Sequence, residues 1–252
     1  MSIEANLQSQ LLGAGRSHLP LTRAATPAAG PRHVTASGEA MPAPPAPAPE
    51  RLALRRAMRA VVALALRCLL RLRVRGAGAL PARGPALVVC NHVSYLDALV
   101  LAAACPYPLR FVYWHKLARV PLLGGLLRLV GGIAVAAEAE DPGLYRGALE
   151  AIDAALAAGE VVAIFPEGRL TKDGEVGPFR RGVERVLSRR PVPVVPAALR
   201  GLYGGLFSRA PKKRLPGPRP RVEVVVAPAL APGGLCASSL RARVCALRGD
   251  VR

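Results

Sequence analysis

A histidine and an aspartate, His92 and Asp97, stand five positions apart in the stretch CNHVSYLDAL, directly after the apolar run PALVV. On a regular helix this spacing corresponds to about 140° of rotation, so the two side chains do not share a helix face. They can meet if His92 lies in the turn before a helix and Asp97 in its first turn. A carboxylate beside an imidazole fixes its tautomer and stabilises the imidazolium that forms on proton uptake. The pair is therefore a candidate general base that activates a hydroxyl group.

The same stretch has a second interpretation in which Asp97 only caps a helix. Ser94 would be the N-cap, and an acidic residue three positions later completes a capping-box pattern. The two roles are compatible, because one carboxylate can bond both to the start of a helix and to an imidazole.

A second polar segment, PEGRLT at residues 166–171, follows the apolar run VVAIF. Gly168 permits close approach of backbone, and Glu167 and Arg169 emerge at the end of a predicted central strand. Ligands of open α/β sheets bind at strand ends, and the forked donors of arginine match phosphate oxygens. The segment is a candidate phosphate site, and an ordinary surface turn is the alternative.

Apolar runs and helical patterns alternate from residue 86 onward, which indicates an α/β domain with a mostly parallel central sheet flanked by helices. Between the third and fourth strands, Asp141 is placed to cap a helix, Pro142 to occupy its first position and Gly159 to end it. The predicted strands are residues 86–91, 109–114, 132–136, 161–165, 192–199 and 221–228.

The region before this domain divides into two parts. Residues 1–50 end in MPAPPAPAPE, a composition that predicts a disordered Ala/Pro-rich leader. Residues 51–76 predict a basic amphipathic helix whose longest uncharged run, 60–66, is too short to span a membrane. We expect it to lie on an anionic membrane surface, with packing on its own domain as the alternative. The catalytic domain is then residues 77–252.

The formal net charge of +19 predicts attraction to anionic partners. Nucleic acid is disfavoured, because aromatic residues make up only 4% of the chain and no nucleic-acid-binding signature is present. The five cysteines have no metal-ligand spacing, so neither a metal site nor a disulfide framework is predicted. We expect buried thiols in a reducing compartment, and the start of the chain lacks the pattern of a signal peptide.

Together the motifs resemble the glycerolipid acyltransferase family, which is typified by lysophosphatidic acid acyltransferases. NHVSYLD resembles its NHx4D block, FPEGRLT its FPEG block and VPVVPAAL its later apolar block with proline. KLARVPLLGGLLRLVGGIAV resembles the segment between the first two motifs, so the resemblance covers about residues 60–230.

The resemblance implies a glycerol-3-phosphate acyltransferase-like fold and transfer of a fatty acyl chain from acyl-CoA or acyl-ACP to the free hydroxyl of a lysophospholipid. His92 would be the base and Asp97 its orienting partner. Glu167, Gly168 and Arg169 would form part of the acceptor's phosphate site. The thioester is already activated, so no metal or other cofactor is implied.

Two further positions bear on the acceptor. Lys116, in YWHKLA, corresponds to a basic position of the family and would contact a phosphate, with a solvated lysine as the alternative. After the third strand the family commonly carries an arginine, where this chain has Glu138 and Glu140. The segments EGRLTKDGEVGPFRRG and LRGLYGGLFSR are more similar to family members that reacylate lysophosphatidylethanolamine. The acceptor is therefore expected to be of the lysophosphatidic acid or lysophosphatidylethanolamine type.

The sequence thus predicts an O-acyltransferase that is peripheral or monotopic at the cytoplasmic face of the inner (plasma) membrane. The basic, proline-broken loop 209–221 would contact lipid headgroups or an acidic carrier protein, or would simply be solvated. A catalytically silent lipid-binding protein is the alternative function, although such a protein has no need of the His92 and Asp97 pair.

Overall fold

The computed structural model describes residues 49–211 and 219–250. The predicted disordered leader therefore lies almost wholly outside the described residues, and so does most of the basic loop 209–221. The strands are β1 (Arg71–Arg75), β2 (Ala86–Cys90), β3 (Leu109–Trp114), β4 (Ile133–Val135), β5 (Val161–Ile164), β6 (Val194–Arg200) and β7 (Arg221–Val226). The helices are α1 (Pro49–Leu69), α2 (Asp97–Ala104), α3 (Leu123–Leu129), α4 (Pro142–Ala157), α5 (Gly182–Arg189) and α6 (Ala237–Arg248).

One seven-stranded sheet in the order β1-β7-β6-β2-β5-β3-β4 organises the described residues. All neighbouring strands are parallel except β6 and β7, which pair antiparallel. Strands β2 to β6 therefore point one way, and β1 and β7 point the other way. The predicted α/β class with a mostly parallel sheet is confirmed.

Helices cover both faces of the sheet, and β2 shows how the sequence fills the two layers. Val88 and Cys90 belong to the cluster that includes residues of α1 and α2. Leu87 and Val89 belong to the cluster with residues of α4, α5 and α6. All five residues of β2 are buried, as a central parallel strand requires.

The predicted signals around α4 are confirmed at both ends. Asp141 accepts a hydrogen bond from the backbone N–H of Leu144 at 2.9 Å, and Pro142 takes the first helical position. Past the last turn, Gly159 has a φ of 74°, the left-handed conformation that commonly ends a helix.

The prediction of one continuous helix over residues 51–76 is wrong at its carboxyl end. The helix α1 ends at Leu69, and the next residues form β1, which pairs in parallel with β7. The sequence RLRVR alternates charged and apolar residues with the period of two that suits a strand. The sheet therefore begins inside the segment assigned to the membrane helix.

The cysteines divide by location. All five are free thiols, and Cys90 and Cys105 are buried as predicted. Cys68 and Cys236 are exposed, so the prediction of buried thiols is wrong for these two. Burial raises the pKa of the Cys105 thiol to about 11.

Among the residues that the structure describes, no helix is both long enough and apolar enough to cross a membrane.

Candidate active site

The two sequence motifs meet at one edge of the sheet. His92 follows the end of β2, and PEGRLT follows the end of β5, the strand that pairs directly with β2. Because the two strands are parallel, their carboxyl ends lie side by side. The backbone N–H of Thr171 also donates to the carbonyl of His92 at 3.0 Å, which joins the two turns.

The predicted pair of His92 and Asp97 is in contact. Nδ1 of His92 lies 2.8 Å from Oδ2 of Asp97. The same oxygen accepts the backbone N–H groups of Val93 at 2.6 Å and Ser94 at 2.9 Å. Asp97 has no exposed surface, and this burial raises the pKa of its carboxyl group, against the opposing effect of the hydrogen bond from His92.

The capping interpretation is wrong about the N-cap, which is Leu96 instead of Ser94 and forms no side-chain cap hydrogen bond. Of the two reciprocal bonds expected in a capping box, one is present. Helix α2 begins at Asp97, and its carboxylate accepts the N–H of Ser94 as a capping box would require. The Ser94 hydroxyl, however, accepts the N–H of Leu96 at 3.2 Å, one residue earlier than the box predicts. Asp97 therefore both ties the turn to the helix and holds the imidazole.

The imidazole is also held by aromatic stacking. The ring of His92 stacks on Phe165, the last residue before the PEGRLT segment, with centroids 4.4 Å apart and an angle of 15° between the planes. Phe165 in turn stacks on Phe111 of β3 at 6.3 Å. About a quarter of the His92 side chain, 24%, is exposed. With Nδ1 bonded to Asp97, Nε2 is the nitrogen left to face a reactant.

Glu167 is buried, and both of its carboxylate oxygens accept backbone hydrogen bonds. Oε1 accepts the N–H of His92 at 2.8 Å, and Oε2 accepts the N–H of Gly177 at 2.9 Å. Burial raises the pKa of this carboxyl group, and the two backbone bonds oppose the shift. These contacts give Glu167 the role of positioning the His92 turn, and its part in an acceptor site stays a prediction.

Gly168 and Arg169 lie exposed at the tip of the turn. Gly168 has a φ of 66°, and a Cβ built on it would lie 2.7 Å from Nε of Arg180. Arg180 donates from Nε to the carbonyl of Glu167 at 3.3 Å. Arg169 is thus a residue of this turn, and the guanidinium group of Arg180 bonds to the backbone of the same turn. The sequence reasoning assigned no role to Arg180, because nothing in FRRG shows which arginine returns to the turn.

Lys116 lies at the carboxyl end of β3 and is already engaged. Its Nζ lies 2.8 Å from Oε1 of Glu140 and 4.9 Å from the centroid of the Trp114 ring. Nε2 of His115 contacts the same carboxylate oxygen at 3.2 Å. Lys116 first, and then His115, lower the pKa of Glu140 to about 2. The predicted contact of Lys116 with a phosphate stays a prediction.

Glu138, the other acidic residue at the position where the family carries an arginine, pairs with Arg185 of α5 at 2.8 Å. Both glutamates therefore neutralise neighbouring cations of this chain.

The chain is similar to several proteins that are named as acyltransferases. It is 30% identical over 117 residues to a chloroplastic 1-acyl-sn-glycerol-3-phosphate acyltransferase of Brassica napus, covering 46% of this chain and 33% of that one. It is 28% identical over 141 residues to the 1-acyl-sn-glycerol-3-phosphate acyltransferase of Bacillus subtilis, covering 55% and 68%. It is 40% identical over 106 residues to the lyso-ornithine lipid O-acyltransferase of Rhizobium meliloti, covering 42% and 35%. The match thus spans about a third of the length of the first and third of these relatives.

The crystal structure of PlsC, the 1-acyl-sn-glycerophosphate acyltransferase of Thermotoga maritima, has the same fold. The TM-score is 0.62 at 22% identity, covering 77% of this chain and 76% of that one. The family model described as Acyltransferase matches residues 71–200, just over half of this chain, from the first residue of β1 to the last residue of β6. The chain therefore belongs to the Acyltransferase family.

Proposed function

We propose that this chain transfers a fatty acyl group from a coenzyme A or acyl-carrier-protein thioester to the free hydroxyl of a lysophospholipid. The observation that carries the proposal is the 2.8 Å contact between Nδ1 of His92 and the buried carboxylate of Asp97, at the joined ends of β2 and β5. Membership of the Acyltransferase family supports it.

The reaction needs a base that takes a proton from an alcohol and later returns it. In the neutral imidazole, Nδ1–H donates to Asp97, which leaves the Nε2 lone pair free to accept the hydroxyl proton. As the proton moves to Nε2, the alcohol oxygen bonds to the thioester carbonyl carbon, and Asp97 stabilises the imidazolium. The tetrahedral oxyanion then collapses, the C–S bond breaks, and the departing sulfur takes the proton from Nε2. The products are an ester and a free thiol, and His92 is again neutral.

The surrounding contacts support this assignment by limiting the motion of the imidazole. Asp97 fixes the tautomer, Phe165 fixes the plane of the ring, and Glu167 fixes the backbone N–H of His92. A base held in this way does not lose orientational freedom when the reactants bind.

The acceptor is proposed to bind through its phosphate at Arg169 and Arg180. Arg169 lies in the turn beside His92, Arg180 donates to the backbone of that turn, and neither forms an ion pair with the residues that the structure describes. Arginine suits phosphate oxygens because its donors form a planar fork. We expect a lysophospholipid of the lysophosphatidic acid or lysophosphatidylethanolamine type. Lyso-ornithine lipid belongs in the test panel because one relative is named for it.

The chain is proposed to act at the cytoplasmic face of the inner membrane, bound peripherally through α1. The outward side of this helix carries an apolar stripe, with Leu54, Val61 and Leu64 exposed by 44%, 68% and 67%, and Arg56 and Arg67 are exposed as well. Two of its arginines point inward instead: Arg55 pairs with Glu160, and Arg59 donates to the carbonyl of Cys105. An exposed apolar stripe on a basic helix suits the boundary between lipid headgroups and acyl chains.

The test is a thioester-consumption assay with acyl-CoA and acyl-ACP donors across a panel of lysolipid acceptors. Wild type should turn over at least one acceptor, and His92→Ala should lose about 10²- to 10⁴-fold in kcat because the base is absent. Arg169→Ala should raise the apparent KM for the acceptor more than that for the donor.

Full activity of His92→Ala would overturn the mechanism. Equal effects of Arg169→Ala on both apparent KM values would remove its role in acceptor binding. Vesicle binding without turnover of any acceptor would favour a lipid-binding protein instead of an enzyme.

A further inference from the structure

A pocket of about 400 Å³ lies beside β1, the outermost strand on one side of the sheet, and is separate from the turn that carries His92. It is formed by the end of α1 and the first residues of β1 and β7. The apolar side chains of Leu70 and Leu72 form part of its wall. Its remaining lining residues are all arginines, and we call the site the arginine pocket: Arg67, Arg71, Arg73, Arg219 and Arg221.

The five guanidinium groups of the arginine pocket lack carboxylate partners among the residues that the structure describes. The one hydrogen bond formed there by a lining arginine side chain is from Nη2 of Arg219 to the carbonyl of Arg67, at 2.7 Å. By contrast Arg75, the next arginine along β1, pairs with Glu223 at 2.6 Å. Parallel pairing places Arg71 directly beside Arg221, so like charges are held together by the backbone register. Such a cluster is stabilised when an anion enters it.

The register of the sheet places the arginine pocket at the edge formed by the carboxyl ends of β2, β5 and β6, where the candidate active site also lies. Strand β7 is antiparallel to β6, with Glu223 opposite Arg200, so β7 begins where β6 ends. Strand β1 is parallel to β7 and begins at the same edge. Strands β2 and β5, which carry the His92 and PEGRLT turns at their carboxyl ends, end there too.

Exposed apolar side chains occur along this same edge. Tyr95 lies beyond the end of β2, Leu122 beyond β3 and Phe207 beyond β6, exposed by 54%, 93% and 54%. Leu69, at the end of α1 beside the pocket, is 65% exposed. Large apolar residues around a basic pocket fit a lipid surface better than a small soluble anion, which gains nothing from them.

We propose that the arginine pocket binds the headgroup phosphate of an anionic phospholipid in the bilayer, at a site distinct from that of the acyl acceptor. The lipid would orient the sheet edge toward the membrane, so that the His92 turn faces the surface from which a lysophospholipid arrives. The binding requires no acyl transfer, so its test stands apart from the test of the proposed function.

The experiment compares two double variants with the same change in net charge. Arg71→Gln/Arg221→Gln alters the arginine pocket, and Arg146→Gln/Arg243→Gln removes two exposed arginines from α4 and α6. Binding is measured by sedimentation with vesicles of phosphatidylcholine, with and without phosphatidylglycerol. Thermal melting confirms that each variant is folded. The pocket variant should lose roughly thirtyfold in partitioning onto the phosphatidylglycerol vesicles, and the control variant less than about fivefold.

A second measurement identifies the source of the phosphate. Titration calorimetry uses monomeric short-chain phosphatidylglycerol, short-chain phosphatidylcholine, inorganic phosphate, coenzyme A and acyl carrier protein. Saturable binding of short-chain phosphatidylglycerol that is lost in the pocket variant supports the proposal. Equal losses of vesicle binding in both variants would overturn it, because overall charge would then suffice. Pocket-dependent binding of coenzyme A, inorganic phosphate or carrier protein, without binding of phosphatidylglycerol, would overturn it too.

Discussion

One carboxylate oxygen of Asp97, Oδ2, has two structural roles. Oδ2 accepts two backbone N–H groups at the start of α2 and also contacts Nδ1 of His92. The backbone bonds fix where the carboxylate lies, and the carboxylate then fixes the imidazole. The orientation of the His92 imidazole is therefore a consequence of how the chain enters helix α2.

Asp97→Asn separates the two tasks. The amide oxygen can occupy the position of Oδ2 and accept the same three N–H groups, so the turn should keep its shape. The negative charge that stabilises the imidazolium is lost, and kcat should fall about 10²- to 10⁴-fold with little change in either apparent KM. The measurement is steady-state turnover. Unchanged kcat would restrict Asp97 to capping.

The same variant has an expected effect on stability. Burial raises the pKa of Asp97 in the folded state, so the folded chain holds this proton more tightly than the unfolded chain does. The wild type should lose stability relative to Asp97→Asn as the pH rises from the ordinary Asp range through the raised pKa. Urea unfolding across that pH range measures the difference, and Asp141→Asn, at the exposed cap of α4, is the control. The opposite sign would show that the ionised carboxylate stabilises the fold.

The sequence identified the residues of the candidate site more completely than the groups of this chain to which they are hydrogen-bonded. The order of His92, Asp97 and Gly168 follows from local rules for strand ends and helix starts. The contact of Glu167 with Gly177, and the return of Arg180 to the turn, depend on the path of a loop that no local pattern specifies. The prediction that Glu167 forms part of the acceptor site could therefore not include the two backbone hydrogen bonds that its oxygens accept.

The six strands predicted from residue 86 onward are confirmed within two residues at each end. Their apolar runs made them recognisable, because such runs are typical of buried strands in a parallel sheet. Strand β1 was not predicted, because its arginines and leucine resemble the arginine-rich, apolar sequence of α1 just before it. Helix α1 was predicted from its helix-forming residues, and its contact with a membrane from its flanking arginines. Arg55 and Arg59 nevertheless turn inward, which only their contacts with the rest of the domain show.

Glu160 connects helix α1 to the rest of the domain through an ion pair with Arg55, and substitution of Glu160 tests how much this connection contributes to stability. Its carboxylate contacts Nη1 of Arg55 at 3.1 Å and Nε of Arg110 at 3.3 Å, and the Glu160 and Arg55 side chains are only 6% and 11% exposed. Glu160→Gln removes the counter-charge of the largely buried Arg55 guanidinium group, 11% exposed, and of the part-buried Arg110 group, 23% exposed, so the free energy of unfolding should fall by about 3 kcal/mol. Urea denaturation measures the loss.

Asp153→Asn is the matched control for Glu160→Gln. Asp153 pairs with Arg190 at 2.6 Å, but the two side chains are 33% and 23% exposed, so the loss should be at most about 1 kcal/mol. Similar losses of unfolding free energy in the two variants would show that the ion pairs of Glu160 contribute no more to stability than a partly exposed ion pair does.

In the described residues, the turn that carries His92, the arginine pocket and the exposed apolar side chains all lie at one edge of the sheet. The proposed function and the proposed lipid site would give this edge three kinds of contact with a bilayer: phosphate at the arginines, acyl chains at the apolar residues, and the acceptor at His92. The outward stripe of α1 would add a fourth contact, since the helix ends at the same edge. The edge would then be the membrane-facing surface.

Leu69→Ser/Leu122→Ser tests whether the apolar residues of this edge enter the acyl region. The two leucines are 65% and 93% exposed, so the variant should keep the melting temperature of the wild type. Its partitioning onto vesicles should fall by about tenfold for each leucine that leaves lipid for water. The loss should be equal at low and high salt, because burial of apolar surface is not screened by ions. The loss caused by Arg71→Gln/Arg221→Gln should instead shrink as salt rises, because charge attraction is screened. Unaltered partitioning of the leucine variant would show that this part of the edge stays in water.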